Sequence, residues 1–298
     1  MVCSSVRLYA EIGGWIQPVR SVARYVVMMV ANLIFRILHG LACALGAAVF
    51  CWLPAPLLAG PGGSATAAAD RPIEIHQRLV LASGEKAIAL TLDACGGGYD
   101  QELVDTLITQ KLPATIFATR KWIDRHPAAV ATLRAYPLLF AIEDHGAAHV
   151  PAVVGGEKRV YGLRGAPDLA RLQAEVEGGA QAIAATGAPR PQWYRGATAM
   201  YDRKAIETIQ ALGYRIAGFS LNGDAGATLP RREILARLLA ARSGDIVLLH
   251  MNKPASASAE ALRDALPALL ARGYGFVTLR DHEVVPVTQP VTIRLARN

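Results

Sequence analysis

From residue 86 onward, short apolar runs alternate with stretches in which apolar positions recur every three to four residues. The runs predict strands at Ala87–Leu92, Ala114–Ala118, Leu138–Ile142, Gln192–Arg195, Arg215–Phe219, Ile246–Leu249 and Gly275–Leu279. The stretches between them predict helices over Gln101–Gln110, Ala128–Ala135, Asp168–Thr186, Asp202–Leu212, Arg231–Arg242 and Ala259–Ala271. Gly213, Gly244 and Gly273 follow three of these helices, where a left-handed cap is expected. Seven strands alternating with helices predict an α/β fold with parallel strands, closed or nearly closed like a barrel. Residues 70–85 read as a lead-in with a strand or hairpin near Ile73–Ala82, and the Gly-rich stretch Val150–Pro167 as a surface loop.

A different pattern precedes residue 60. Two apolar stretches, Tyr25–Phe35 and about Leu41–Ala59, are separated by Arg36 and His39 and followed by a run of small residues. A positive residue, an apolar core and an Ala-x-Ala site at Ala65–Ala67 or Ala67–Ala69 are the parts of a secretory signal. The leader is long, and a start at Met28 or Met29 would give it ordinary length. An uncleaved anchor is the competing reading, since about 19 uncharged residues approach a bilayer's thickness. Both export the domain, residues 70–298, to the periplasm, the outer face of the inner membrane or the medium.

Composition adds little beyond this. At 52% hydrophobic residues the chain has ample core material for one large domain or two small ones. Arg7, Arg20, Arg24 and Arg36 against Glu11 give residues 1–67 a charge of +3, leaving +4 of the total +7 for the rest. No Lys/Arg block is dense enough to indicate nucleic acid. Three of the four cysteines, Cys3, Cys43 and Cys51, fall in the leader, so Cys95 has no partner for a disulfide framework.

Polar chemistry collects where the predicted strands end. Asp93 follows the first strand, His145 and His149 the third, Arg195 ends the fourth, Asn222 and Asp224 follow the fifth, and His250 ends the sixth. In a parallel β/α barrel these positions share the rim on which active sites form. His145-Gly-Ala-Ala-His149 would bring two imidazoles to one cation if it made a helical turn; two unrelated loop histidines are the bland alternative. Asp93 is either a helix cap or a site residue, and the next helix begins only near Asp100. His250 suits a general acid near neutral pH, or a histidine satisfied by backbone carbonyls. Arg195 would be costly to bury alone, so a carboxylate partner is expected.

Leu90-Thr91-Leu92-Asp93, His145-x-x-x-His149, Trp193-Tyr194-Arg195, Asn222-Gly223-Asp224 and Leu248-Leu249-His250 occur in an order and spacing that resembles the polysaccharide deacetylases of the NodB-homology type, carbohydrate esterase family 4. The resemblance covers roughly residues 86–280. It implies a deformed (β/α) barrel of about seven strands and metal-dependent hydrolysis of N- or O-acetyl groups on a glycan. It implies Asp93 as general base, His145 and His149 as ligands of a divalent metal such as zinc, and Arg195 as the residue that orients the base. His250 would be the general acid, and Asp224 an acidic partner of the arginine or of that histidine. Leu249 would wall the acetyl-methyl pocket, with Trp193 and Tyr194 beside the substrate. The implied partner is an acetylated glycan (peptidoglycan, a chitooligosaccharide or an exopolysaccharide), with no nucleic acid and no membrane contact beyond the N-terminal segment.

The sequence also departs from that pattern. The family's Thr-Phe-Asp-Asp-Gly, whose second aspartate binds metal, stands here as Thr91-Leu92-Asp93-Ala94-Cys95-Gly96. Alanine is no ligand, which leaves Cys95, Asp144 or Asp93 itself to complete the site, or two histidines with extra water. A thiolate would suit zinc. Arg195-Gly196-Ala197-Thr198-Ala199 likewise replaces Arg-Pro-Pro-Tyr-Gly. Three outcomes are open: an altered deacetylase, a hydrolase of another C–N bond, or a glycan-binding module that has lost hydrolysis. Retention of Asp93, Arg195 and His250 together favours the first.

Overall fold

The computed structural model describes residues 71–287. The leader, its cleavage site and the alternative starts lie outside the described residues. Among those described, no helix is long and apolar enough to cross a membrane.

The sheet at the centre is parallel throughout. Its strands are β1 (Ala87–Ala94), β2 (Ala114–Ala118), β3 (Phe140–Asp144), β4 (Trp193–Tyr194), β5 (Arg215–Ile216), β6 (Leu221–Asn222), β7 (Ile246–His250) and β8 (Gly275–Val277). They lie in the order β5-β4-β3-β2-β1-β7-β6, with β8 pairing the start of β1. Every residue of β1 is buried, as continuous apolar runs require in a sheet covered on both faces. Leu90, Leu92 and Ala94 point to the helices, and Ala89 to the barrel interior. The interior set is completed by Thr91 and Asp93, whose side chains meet Arg195. One strand thus feeds the core with one face and the site with the other.

The two ends of the sheet, β5 and β6, do not pair. Residues 217–220 cross from one to the other: the Ala217 N–H donates to Tyr194 O and the Ser220 N–H to Ile246 O. The lead-in segment packs into this seam, with Gln77 N–H donating to Phe219 O and Phe219 N–H to Ile75 O. Gly218 has no side chain because a Cβ would collide with Ile75 O. The expected barrel is therefore closed by a crossing chain rather than by a strand pair.

Among the described residues, seven helices cover the outside: α1 (Gln101–Gln110), α2 (Arg120–Arg125), α3 (Pro127–Ala135), α4 (Leu169–Ala185), α5 (Arg203–Ala211), α6 (Arg231–Leu239) and α7 (Ser258–Ala271). Asp100, Thr119, Asp168 and Asp202 cap four of them by accepting an N–H in the first turn. Gly213, Gly244 and Gly273 all have the expected positive φ, at 88°, 85° and 78°.

Four expectations need correction. Helix α2 and strand β6 were absent from the sequence pattern, both being too short to show a period. The third strand begins at Phe140, because Leu138 is 91% exposed and belongs to a turn. Of the strand or hairpin expected in the lead-in, strands form but the hairpin does not: Ile73–Glu74 pairs with Ala197–Tyr201, and Gln77–Leu79 with Val284–Pro286. Val150–Pro167 is only partly a surface loop. Pro151–Ala152 is a buried strand beside Ala197–Tyr201, and a hairpin, Arg159–Val160 with Leu163–Arg164, rises from the rest.

Candidate active site

The C-terminal ends of β1, β3 and β7 open into a cavity of about 670 Å³. Asp93, Cys95, His145, His149 and His250 line it together. Tyr161 and Leu163 reach it from the hairpin, whose tip is a two-residue turn with positive φ at both Tyr161 (47°) and Gly162 (81°).

Asp93 is held from inside the barrel. Arg195 Nη1 donates to Asp93 Oδ1 at 2.8 Å and to Thr91 Oγ1 at 2.9 Å. Nη2 donates to Gly218 O at 3.0 Å, in the seam between β5 and β6. The guanidinium also lies over the Phe117 ring, 4.1 Å from its centroid. Arg195 is fully buried, so its charge needs the carboxylate that the sequence led one to expect. Burial pushes the Asp93 carboxyl up, but Arg195, His145 and His250 together outweigh it and hold the group below the usual value. Asp93 is therefore an anion, with Oδ1 tied to Arg195 and Oδ2 3.7 Å from His145 Nε2.

His250 is held from the opposite side. Its Nδ1 lies 2.8 Å from Asp224 Oδ1, while Asp224 Oδ2 accepts from the His250 backbone N–H and from Ser258 Oγ. Burial would lower the imidazole's pKa. The hydrogen bond to buried Asp224, with Cys95 and Asp93 nearby, instead raises it well above the ordinary value. Asp224 is thus the partner of the histidine and not of the arginine. Gly223 lets its loop close on β7, since a Cβ there would come within 2.6 Å of Leu249 Cδ2.

Between these two arms lie Cys95, His145 and His149, which each offer one donor atom within 4.8 Å of the others. They are joined by loops, not by a helix. His145-Gly-Ala-Ala-His149 follows β3 as an irregular turn with positive φ at Gly146 (86°) and His149 (65°), and the two rings meet edge to face at 5.0 Å. His145 Nδ1 is 2.6 Å from Arg195 O. A carbonyl only accepts, so Nδ1 carries a proton and Nε2 faces Cys95 Sγ at 3.4 Å. Burial lowers the His145 pKa, but Asp93 and Cys95 raise it to about 9 overall. Burial likewise raises the Cys95 thiol, yet the histidines around it bring it well below its ordinary value. A tetrahedral zinc with sulfur at ~2.3 Å and nitrogen at ~2.05 Å would hold those two donors about 3.6 Å apart. The donor set therefore fits a divalent cation.

Residues 81–217 match the family model described as polysaccharide deacetylase. Over that stretch the chain is similar to the polysaccharide deacetylases. The match points to hydrolases that act on the acetyl amide bonds of polysaccharides. Solved structures with the same fold include a family 4 carbohydrate esterase from Streptomyces lividans in complex with acetate. It is 18% identical, with TM-score 0.56, over 68% of this chain and 98% of that one. PdaA of Bacillus subtilis, another family 4 carbohydrate esterase, is 20% identical, with TM-score 0.55, over 72% and 85%. A pseudoenzyme of the same esterase family from Bacillus anthracis is 16% identical, with TM-score 0.54, over 69% and 67%. At such identities these likenesses establish the fold. No curated protein sequence matches the chain.

Set in the deacetylase framework, the residues singled out from sequence divide. Asp93, His145, His149 and His250 line the cavity, and Arg195 and Asp224 brace it from behind. Trp193, Tyr194 and Leu249 do not reach it. Trp193 is buried low in the barrel, its Nε1 donating to Leu279 O and the Arg215 guanidinium over its ring. Tyr194 faces outward among the residues under α4 and α5. Leu249 packs under the helices, and Leu248 lines the cavity in its place. The two-residue period explains this: Leu248, not Leu249, shares a face with His250. Ala94 lies on the helix side of β1, fully buried. Asp144 is turned toward α4 and accepts from Gly146 N–H, so it takes no part in the donor cluster. Cys95 is the group that stands where a third donor is needed. The sequence offered Cys95 only beside Asp144 and Asp93; the three imidazoles around it single it out.

Proposed function

We propose that the domain removes acetyl groups from an extracytoplasmic glycan with a divalent cation held by Cys95, His145 and His149. The observation that carries this is the placement of Asp93 and His250 on neighbouring strands, on either side of that donor cluster, in one cavity. The thiolate-plus-imidazole donor set favours zinc over the hard cations. When bound, the cation would polarise the acetyl carbonyl and acidify water. Asp93, fixed by Arg195, takes the proton from the water that attacks the acetyl carbon. His250, kept protonated by Asp224, donates to the leaving nitrogen as the C–N bond breaks, giving acetate and a free amine. Leu248 and the hairpin residues Tyr161 and Leu163 supply apolar wall for the sugar and its acetyl methyl. The leader pattern of residues 1–69 supports action outside the cytoplasm.

The experiment is acetate release by the purified chain from acetylated chitooligosaccharide, peptidoglycan and acetylated exopolysaccharide, with and without a chelator. Chelator-sensitive release is expected from at least one. A chain that holds no divalent metal and releases acetate from none of them leaves the binding-module reading standing. That reading draws support from Ala94, which replaces a family ligand, and from the likeness to a pseudoenzyme. The hydrogen-bonded pairs Asp93–Arg195 and His250–Asp224 weigh against it, because a binding surface has no use for a positioned base and acid.

A further inference from the structure

We propose that Glu175, on α4, is a positioning residue that fixes the His145–His149 turn and so sets where His149 presents its ring nitrogen. The inference rests on the reading that His149 helps to hold the cation. Glu175 is buried, with 5% of its surface exposed, and its carboxylate is given over to that turn. The Ala148 N–H donates to both Oε1 and Oε2 at 2.9 Å, and the Val150 N–H donates to Oε1 at 2.9 Å. These are the residues on either side of His149. The Glu175 backbone carbonyl accepts a further bond from Ala147 N–H at 2.9 Å.

The grip matters because His149 is left-handed, with φ of 65°. Such a conformation is costly for a residue with a Cβ and persists where its surroundings over-determine it. Carboxylate bonds from the N–H groups on both sides of the strained residue do this directly. The helix surface is shaped to match. A Cβ at Gly178 would come within 2.9 Å of Ala147 Cβ, one at Gly179 within 2.8 Å of Gly146 C, and one at Gly146 would collide with Glu175 Oε1. Two adjacent glycines in a helix cost helix stability, and here they let the turn's backbone rest against α4. The other side of the turn is held by α2, whose Arg120 and Lys121 N–H groups donate to Gly146 O and Ala147 O. Lys121 Nζ of α2 also donates to Ala148 O at 2.8 Å, but among the described residues only α4 bonds both neighbours of His149.

The test is cobalt(II) titration of the full chain, read by affinity and by the ligand-field spectrum, which reports donor geometry independently of turnover. Glu175→Gln keeps the size but presents an N–H₂ where an acceptor is needed; Glu175→Ala removes the grip altogether. Gly178→Ala should improve the helix while pushing the turn away, so it separates positioning from folding. All three are expected to weaken cobalt binding by about ten- to a hundred-fold, the range for residues that orient metal ligands, and to change the spectrum. Glu177→Gln, two residues along the same helix, should change neither. If Glu175→Ala does not fold, Glu175→Gln and Gly178→Ala decide the matter. Folded variants that bind cobalt within two-fold of the parent, with its spectrum, overturn the proposal. A parent chain that takes up no cobalt overturns the cation reading, and this inference with it.

Discussion

Asp93 and His149 face the same cavity, yet they are held in different ways. Asp93 comes near the end of an eight-residue buried strand, and the groups that fix it, Arg195 and Thr91, lie inside the barrel. His149 sits in an irregular turn, left-handed and partly exposed, fixed by a carboxylate on a helix outside the barrel. His250 resembles Asp93 in this respect, and Cys95 resembles His149. The acid and the base are thus built into the sheet, whereas the three metal donors lie beyond the strand ends, on loops. Chemistry and cation binding should therefore fail separately when the two regions are mutated one at a time.

Asp93→Asn breaks the chemistry alone and has the largest expected effect. Turnover should fall by about 10³-fold, within the range for a lost general base, while metal content per chain stays the same. Acetate release and metal analysis on one preparation read both. Loss of the metal in this variant would make Asp93 a ligand and erase the division between the two regions.

Arg195→Met probes the sheet-built arm through stability. The guanidinium is buried against Asp93, Thr91 and the seam carbonyls, and its removal leaves a buried carboxylate without its partner. A loss of about 3–5 kcal/mol is expected, measurable by chemical denaturation. Loop-side Glu175→Gln should cost clearly less.

The sheet-built arm was also the part most legible in sequence. The apolar run Ala-Ile-Ala-Leu-Thr-Leu already set Asp93 at a strand end, and the need to pair a buried Arg195 already implied a carboxylate. The loop-hung arm was poorly legible. His145 and His149 suggested a helical turn because the spacing of four permits one, but Gly146 and the left-handed His149 make a turn that no periodicity encodes. Cys95 was visible only as one of several substitutes for the missing aspartate, since what singles it out is the approach of His145, His149 and His250 from separate strands and loops. Trp193 and Tyr194 misled for a related reason. Their adjacency to Arg195 in sequence says nothing about depth, and the strand turns one into the barrel and the other out of it.

Ala94→Asp tests the boundary between the regions at a single position. It restores the family's residue type, yet position 94 faces the helices and is fully buried. A carboxyl placed there without a partner should cost about 2–3 kcal/mol of stability, with no gain in cation affinity. Tighter cation binding would show that the strand end rotates to bring the new carboxylate into the cavity, and that Cys95 does not hold its place alone.

Tyr161→Ala carries the comparison to the edge of the cavity and has the smallest expected effect. Tyr161 is 79% exposed at the tip of the hairpin, with its ring lining the same cavity as the acid and the base. An exposed side chain with no core contacts contributes little to stability, so the change in unfolding free energy should stay within about 0.5 kcal/mol. A ring that stacks on a sugar should still be missed by the substrate: KM is expected to rise about three- to ten-fold, corresponding to about 0.7–1.4 kcal/mol of contact, with kcat and metal content unchanged. A fall in kcat with KM constant would mean that the hairpin acts on the reacting groups rather than on the glycan, and that the loop side of the cavity shares in the chemistry assigned here to the sheet.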